Sequence, residues 1–183
     1  MSRNVDFARL DLKDALDLAI LIEDEARERY EEFAEQMEVH HTADAAKFYR
    51  FMAENEAKHG AELAKRRKAL FADAPTRMSR SMLWDVEAPE YDKARAFMSP
   101  RKALEVALES EVKAHAYFTA AIPFLSDPEV KALFVELQGD EVEHKALVQA
   151  ELAKLPPEPE IDVEDLVDEP VGQRGGRLDG VGE

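Results

Sequence analysis

Apolar residues recur every three to four positions through four long stretches of this 183-residue chain, and strand-like alternation is nearly absent. The first stretch runs from about Asp11 to Glu38. Leu16, Ala19, Ile20, Ala26, Tyr30, Phe33 and Met37 share one stripe there, and Asp11 is the expected N-cap. A break at Val39-His40-His41-Thr42 follows, with Thr42 as the next cap. The second stripe carries Ala45, Phe48, Met52, Leu63 and Leu70, interrupted near its end by Arg66. Ser99-Pro100 supplies a cap and a first-turn proline for the third, which carries Leu104, Ala107, Leu108, Ala114, Phe118 and Ala121. The fourth starts at Ser126-Asp127-Pro128, carries Val130, Leu133, Leu137, Val148, Leu152 and Leu155, and stops at Pro156-Pro157. Each pattern predicts an amphipathic helix with one buried face.

Residues 72–98 hold two prolines and lose the stripe, so they read as a long crossover. A short helix around Pro89 to Phe97 and a packing anchor at Trp84 are expected within it. Short loop, long loop, short loop predicts an all-α four-helix bundle whose crossover joins helices 2 and 3. Residues 1–155 form this domain. The segment 156–183 differs in kind, with five of the seven glycines and four of the nine prolines, and reads as a disordered acidic tail.

Six polar residues stand where the stripes call for apolar ones: Glu23, Glu56, His59, Glu111, Glu141 and His144. They also repeat. Helix 3 laid on helix 1 at an offset of 88 matches Glu111 to Glu23 and Phe118 to Tyr30, and helix 4 on helix 2 at an offset of 85 matches Glu141-Val-Glu-His144 to Glu56-Ala-Lys-His59. Glu23 lies 18 residues before the His41 turn, and Glu56 and His59 lie 15 and 18 after it. At ~1.5 Å rise per residue both arms climb roughly 23–27 Å to one level. The second hairpin converges in the same way about Ser126. Four carboxylates cannot be buried bare, because each would cost several kcal/mol. Either they reach water or a cation sits among them. Two single Glu and two Glu-x-x-His pairs, one item from each helix, match a two-metal carboxylate constellation, and oxygen with imidazole donors suits Fe or Mn.

Composition narrows the picture. A formal charge of −16 and a pI near 4.8 argue against nucleic acid or an anionic membrane surface as partner. The lack of cysteine excludes thiolate zinc sites and iron–sulfur clusters in this chain, and no methionine stands out as a haem ligand. The N-terminus shows no signal-peptide pattern and no stretch approaches a membrane span, so a cytoplasmic protein is expected.

The sequence resembles the ferritin-like superfamily, and within it the rubrerythrin/erythrin branch. The motifs are Glu23-Asp-Glu-Ala26-Arg-Glu-Arg-Tyr30, Glu56-Ala-Lys-His59 and Gly139-Asp-Glu141-Val-Glu-His144, and the resemblance spans roughly residues 11–155. It implies that Glu56 and Glu141 bridge two irons, that Glu23 with His59 and Glu111 with His144 complete them, and that Tyr30 sits beside the site. Asp140 and Tyr30 are expected to orient the ligands. The branch usually carries a further glutamate one turn after the third-helix ligand. Here that position is Ala114, so ligand switching does not carry over. The branch's rubredoxin module is absent, which calls for an external electron donor.

These features predict a di-iron oxidoreductase that oxidises Fe(II) with O2 or hydrogen peroxide in iron handling or oxidative-stress defence. The alternatives are a non-catalytic iron-binding, storage or shell-packaged cargo protein, and a manganese enzyme. A homodimer or higher homo-oligomer is expected. In the tail, Arg177, Leu178 and Val181 are candidate docking residues for a protein shell, which would put the chain inside a protein compartment. The Glu38/His41 pair also has Glu-x-x-His spacing but lies at a helix end with no repeat counterpart, and reads as a loop feature. His115 reads as an outer-face histidine or one behind the ligands.

Overall fold

A computed structural model describes residues 5–82, 86–90, 93 and 98–157. Four helices dominate it: α1 (Leu12–Val39), α2 (Ala43–Phe71), α3 (Pro100–Ala121) and α4 (Pro128–Lys154). α1 lies along α2 and α3 along α4, giving two hairpins joined by the long crossover. Trp84, most of the helix expected around Pro89 to Phe97, and the docking residues Arg177, Leu178 and Val181 lie outside the described residues.

The helix ends follow the local chemistry of the sequence. Asp11 caps α1 by accepting from the Asp14 N–H at 2.8 Å, and Ser99 caps α3 through the Lys102 N–H at 3.1 Å. Asp127 accepts from the N–H groups of Glu129 and Val130 at the start of α4. Thr42 departs from expectation. Its hydroxyl donates back to the Met37 carbonyl at 3.0 Å and makes no side-chain cap on α2. The α1–α2 turn closes instead through the backbone. His41 takes a left-handed φ of 59°, the Thr42 N–H reaches Met37 O at 2.9 Å, and the His41 N–H reaches Glu38 O at 3.1 Å. Glu38 pairs with Arg50, so the Glu38/His41 spacing belongs to this turn.

α2 runs past Arg66 to Phe71, although the stripe weakens there. Its end is held by Arg67, whose guanidinium donates to the carbonyls of Ala72 (2.8 Å) and Ala74, spanning the left-handed Ala72. Leu70 does not join the core and is 55% exposed.

Two dry apolar layers fill the bundle. One joins Leu16, Ile22, Leu63, Phe118, Leu133 and Phe134. The other joins Tyr30, Phe33, Met37, Tyr49, Met52, Leu104 and Val148. Between them, at the level of Glu23, Glu56, Glu111 and Glu141, the core is acidic.

Candidate metal centre

One residue on each helix supplies the helical part of the acidic layer, because each glutamate occupies a stripe position and the helical period turns it inward. Glu23, Glu56, Glu111 and Glu141 are 6%, 1%, 0% and 3% exposed. His59 and His144 follow one turn after Glu56 and Glu141, and their rings stack in parallel across the bundle, with centroids 4.7 Å apart and 6° between planes. His144 Nδ1 lies 3.1 Å from Glu111 Oε2 and 3.8 Å from Glu141 Oε2. His59 Nδ1 lies 4.0 Å from Glu23 Oε2 and 3.9 Å from Glu56 Oε2. The two halves place the same residue types in the same order, but only His144 reaches its partner glutamate within hydrogen-bond distance.

Donor atoms held ~2.1 Å from one ion stand roughly 3–4 Å from each other. The spacing here falls in that range. Ligand atoms of Glu56, His59 and His144 form one group within 4.8 Å of one another, and those of Glu56, Glu87, Glu111 and His144 form a second. Glu56 and His144 belong to both groups. Among the described residues, Glu23 Oε2, both oxygens of Glu56, both of Glu87 and Glu141 Oε2 are buried without a hydrogen-bond partner. Orphaned buried carboxylate oxygens are strongly unfavourable, and a pair of divalent cations among them would satisfy these atoms and offset their charge. The residues fit a two-metal site.

The protonation balance of the unliganded cluster reflects the same crowding. Burial, then the charge of Glu87, holds the Glu23 and Glu56 carboxyls well above the usual carboxylate range. Burial, with Glu87 and Glu111 nearby, pushes Glu141 up to about 12. Burial and Glu111 push Glu87 up to about 7. The histidines differ. Burial and the neighbouring His144 lower His59, whereas at His144 the hydrogen bond and charge of Glu111 outweigh burial and raise it.

Tyr30 stands beside the site, fully buried, and donates from its hydroxyl to Glu111 Oε1 at 3.3 Å. Its repeat counterpart Phe118 has no hydroxyl, so this contact exists in one half only. Asp140 lies in the wall of a side hollow of about 240 Å³ that it shares with Glu23, His59, Glu62, Arg66 and Glu136. The hollow connects solvent to the Glu23/His59 end, and the Arg66–Glu136 ion pair (2.9 Å) stands in its lining. Asp140 raises His144 through its charge, and burial raises its own carboxyl. His115 is half-buried on α3, outside both metal-donor groups.

Glu87 was not legible in the sequence. It sits in the crossover, 1% exposed, between the buried residues Val86 and Ala88. The one signal in the chain is an acidic residue inside the short apolar run Val86-Glu87-Ala88-Pro89, which has no period to give it a direction.

With this geometry in place, known proteins offer a comparison. The profile of the rubrerythrin family matches residues 14–90. An uncharacterised conserved protein from Magnetospirillum magnetotacticum MS-1 is 34% identical, covers 84% of this chain and is itself covered over 100% of its length, with a TM-score of 0.62. Bacterioferritin from Rhodobacter capsulatus, solved with a metal-free dinuclear site and haem iron, is 22% identical over 77% of this chain and 82% of its own, with a TM-score of 0.53. That likeness shows the fold. Among curated proteins none matches the sequence. The bundle has the ferritin-like fold. Residues 14–90 form a rubrerythrin-family domain, and over 84% of its length the chain belongs with the Magnetospirillum protein. No helix among the described residues is long and apolar enough to cross a membrane.

Proposed function

We propose that the protein is a di-iron oxidoreductase that oxidises Fe(II) with O2 or hydrogen peroxide. The observation that carries this is the buried layer of partnerless carboxylate oxygens converging on two stacked histidines. Glu56 and Glu141 would be shared between the two ions, Glu23 with His59 would hold one, and Glu111 with His144 would hold the other. Glu56 and His144 fall in both donor groups and Glu23 and Glu141 in neither, so the roles of the last two rest on their buried, partnerless Oε2 atoms. Two bound irons would supply the electron pair that reduces one peroxide to two waters, with two protons taken up.

The chain's own residues do the rest. The two apolar layers exclude water from above and below the acidic level, which strengthens the electrostatic grip of the carboxylates. The side hollow, lined by Glu62, Glu136 and Asp140, draws cations toward Glu23 and His59. Asp140 and the imidazoles lie where protons can enter from solvent. Tyr30 holds Glu111 in orientation through its hydroxyl.

Anaerobic Fe(II) titration should reach about two irons per chain, and adding O2 or peroxide should oxidise them. Glu56→Ala and Glu141→Ala should lose binding at both positions. A chain that binds no iron overturns the assignment, and one that binds iron without oxidising it is an iron-binding protein instead.

A further inference from the structure

We propose that Glu87, carried by the crossover, is a seventh protein ligand of the metal pair and ties the crossover to the bundle when metal is bound. The proposal rests on the two-metal assignment above and extends it to a residue outside the four helices.

Both Glu87 oxygens are buried and lack a hydrogen-bond partner, and the carboxylate lies within donor distance of Glu56, Glu111 and His144. A carboxylate so placed accepts no hydrogen bond in the unliganded protein and crowds the carboxylates of Glu56 and Glu111. Its backbone, by contrast, is firmly located. Lys113 of α3 donates to the Ala88 carbonyl at 2.7 Å, and the buried Arg29 of α1 donates to the Pro89 carbonyl. Two cations from opposite hairpins thus clamp the two residues that follow Glu87. Val86, Ala88 and Pro89 are buried around it. The clamp aims the side chain into the acidic layer at a fixed height. On α3, the position one turn after Glu111 is Ala114, fully buried and without a donor. The crossover thereby contributes the carboxylate that helix 3 does not.

The test combines two readouts on the full chain. In anaerobic Fe(II) titration calorimetry, Glu87→Gln, which keeps the shape and removes the charge, should weaken binding at least about tenfold at one of the two iron positions. Loss of mere outer-shell partners already costs 10–100-fold. In hydrogen exchange read by mass spectrometry, Fe(II) should slow exchange in peptides covering residues 86–90 of the wild type and leave them unchanged in Glu87→Gln. Glu87→Asp, with a shorter reach, should fall between the two and serves if the Gln variant does not fold. Wild-type affinity at both positions in the variants, or equal protection with and without the carboxylate, overturns the proposal while leaving the two-metal assignment intact. A wild type that binds no Fe(II) overturns both.

Discussion

Helix α1 carries two groups of buried acids, and they are treated in opposite ways. Near its start, Asp14 and Asp17 are 3% and 7% exposed, yet each has cations at hand. Lys13 reaches both at 3.1 and 3.0 Å, Arg67 reaches Asp17 at 2.7 Å, and Arg77 reaches Asp14. Burial alone would raise the Asp17 carboxyl, but hydrogen bonds from Arg67, Lys13 and Thr76 hold it below its usual value. Six residues further on, Glu23 enters a layer with four more glutamates, its Oε2 is buried without a hydrogen-bond partner, and burial and the charge of Glu87 hold its carboxyl well above the usual range. The first group is a closed structural network that ties α1 to the end of α2 and the start of the crossover. The second is incomplete as a protein structure. Burial alone does not set the second group apart; carboxylate oxygens buried without a hydrogen-bond partner do.

Substitution at the two groups should act in opposite directions on the metal-free protein. Glu56→Gln removes a buried acid that has no partner and that burial holds protonated, and should stabilise the apo chain at neutral pH by up to about 3 kcal/mol, at about 1.4 kcal/mol per pH unit above the unfolded value of 4.5. Arg67→Ala leaves Asp17 without its nearest cation and should lower the melting temperature. Thermal unfolding of both variants without metal checks this, and a fall for Glu56→Gln would erase the distinction.

The pH dependence should separate the groups next. Glu87 and Glu141 have folded pKa values of about 7 and about 12, raised from 4.5. For a raised carboxyl the folded state holds more protons, so its contribution is full below pH 4.5 and is lost as pH rises through the folded value. The apo protein should therefore lose about 1.4 kcal/mol per pH unit for each retained proton, beginning near pH 4.5 and continuing past 7. Asp17, lowered from 3.8, contributes above that value and loses its contribution as pH falls through its folded one. Urea unfolding from pH 4 to 8 should show apo stability declining toward neutrality, and bound Fe(II) should flatten that decline. A flat apo profile would contradict the crowding of the acidic layer.

The smallest effect is expected at Tyr30. Tyr30→Phe deletes one hydrogen bond to Glu111 and copies the Phe118 half of the repeat. It should cost about 1 kcal/mol of stability and leave two irons bound. A lost iron in the same titration would make Tyr30 essential to binding rather than a holder of Glu111.

The helices and their acids were readable because a helix converts spacing into direction. A glutamate on the stripe at position 23 must point where Leu16 and Tyr30 point, and 15 to 18 residues either side of a turn must reach one height. The same rule gave His59 and His144 their faces. It gave less at the ends. Thr42 was expected to cap α2, but the left-handed His41 closed the turn through the backbone. Leu70 fell on the stripe but is 55% exposed, while its neighbour Phe71 packs against the apolar layer instead.

The chain by itself therefore determined the bundle, the level of the acidic layer and the Glu and Glu-x-x-His residues that face it, since all of these follow from local period and repeat. Tertiary structure decided what has no period. The contact between Tyr30 and Glu111 joins α1 to α3 across 81 positions. The aim of Glu87 depends on Arg29 and Lys113 taking hold of the Pro89 and Ala88 carbonyls from two different helices. A crossover residue acquires a direction only when the helices around it are already in place.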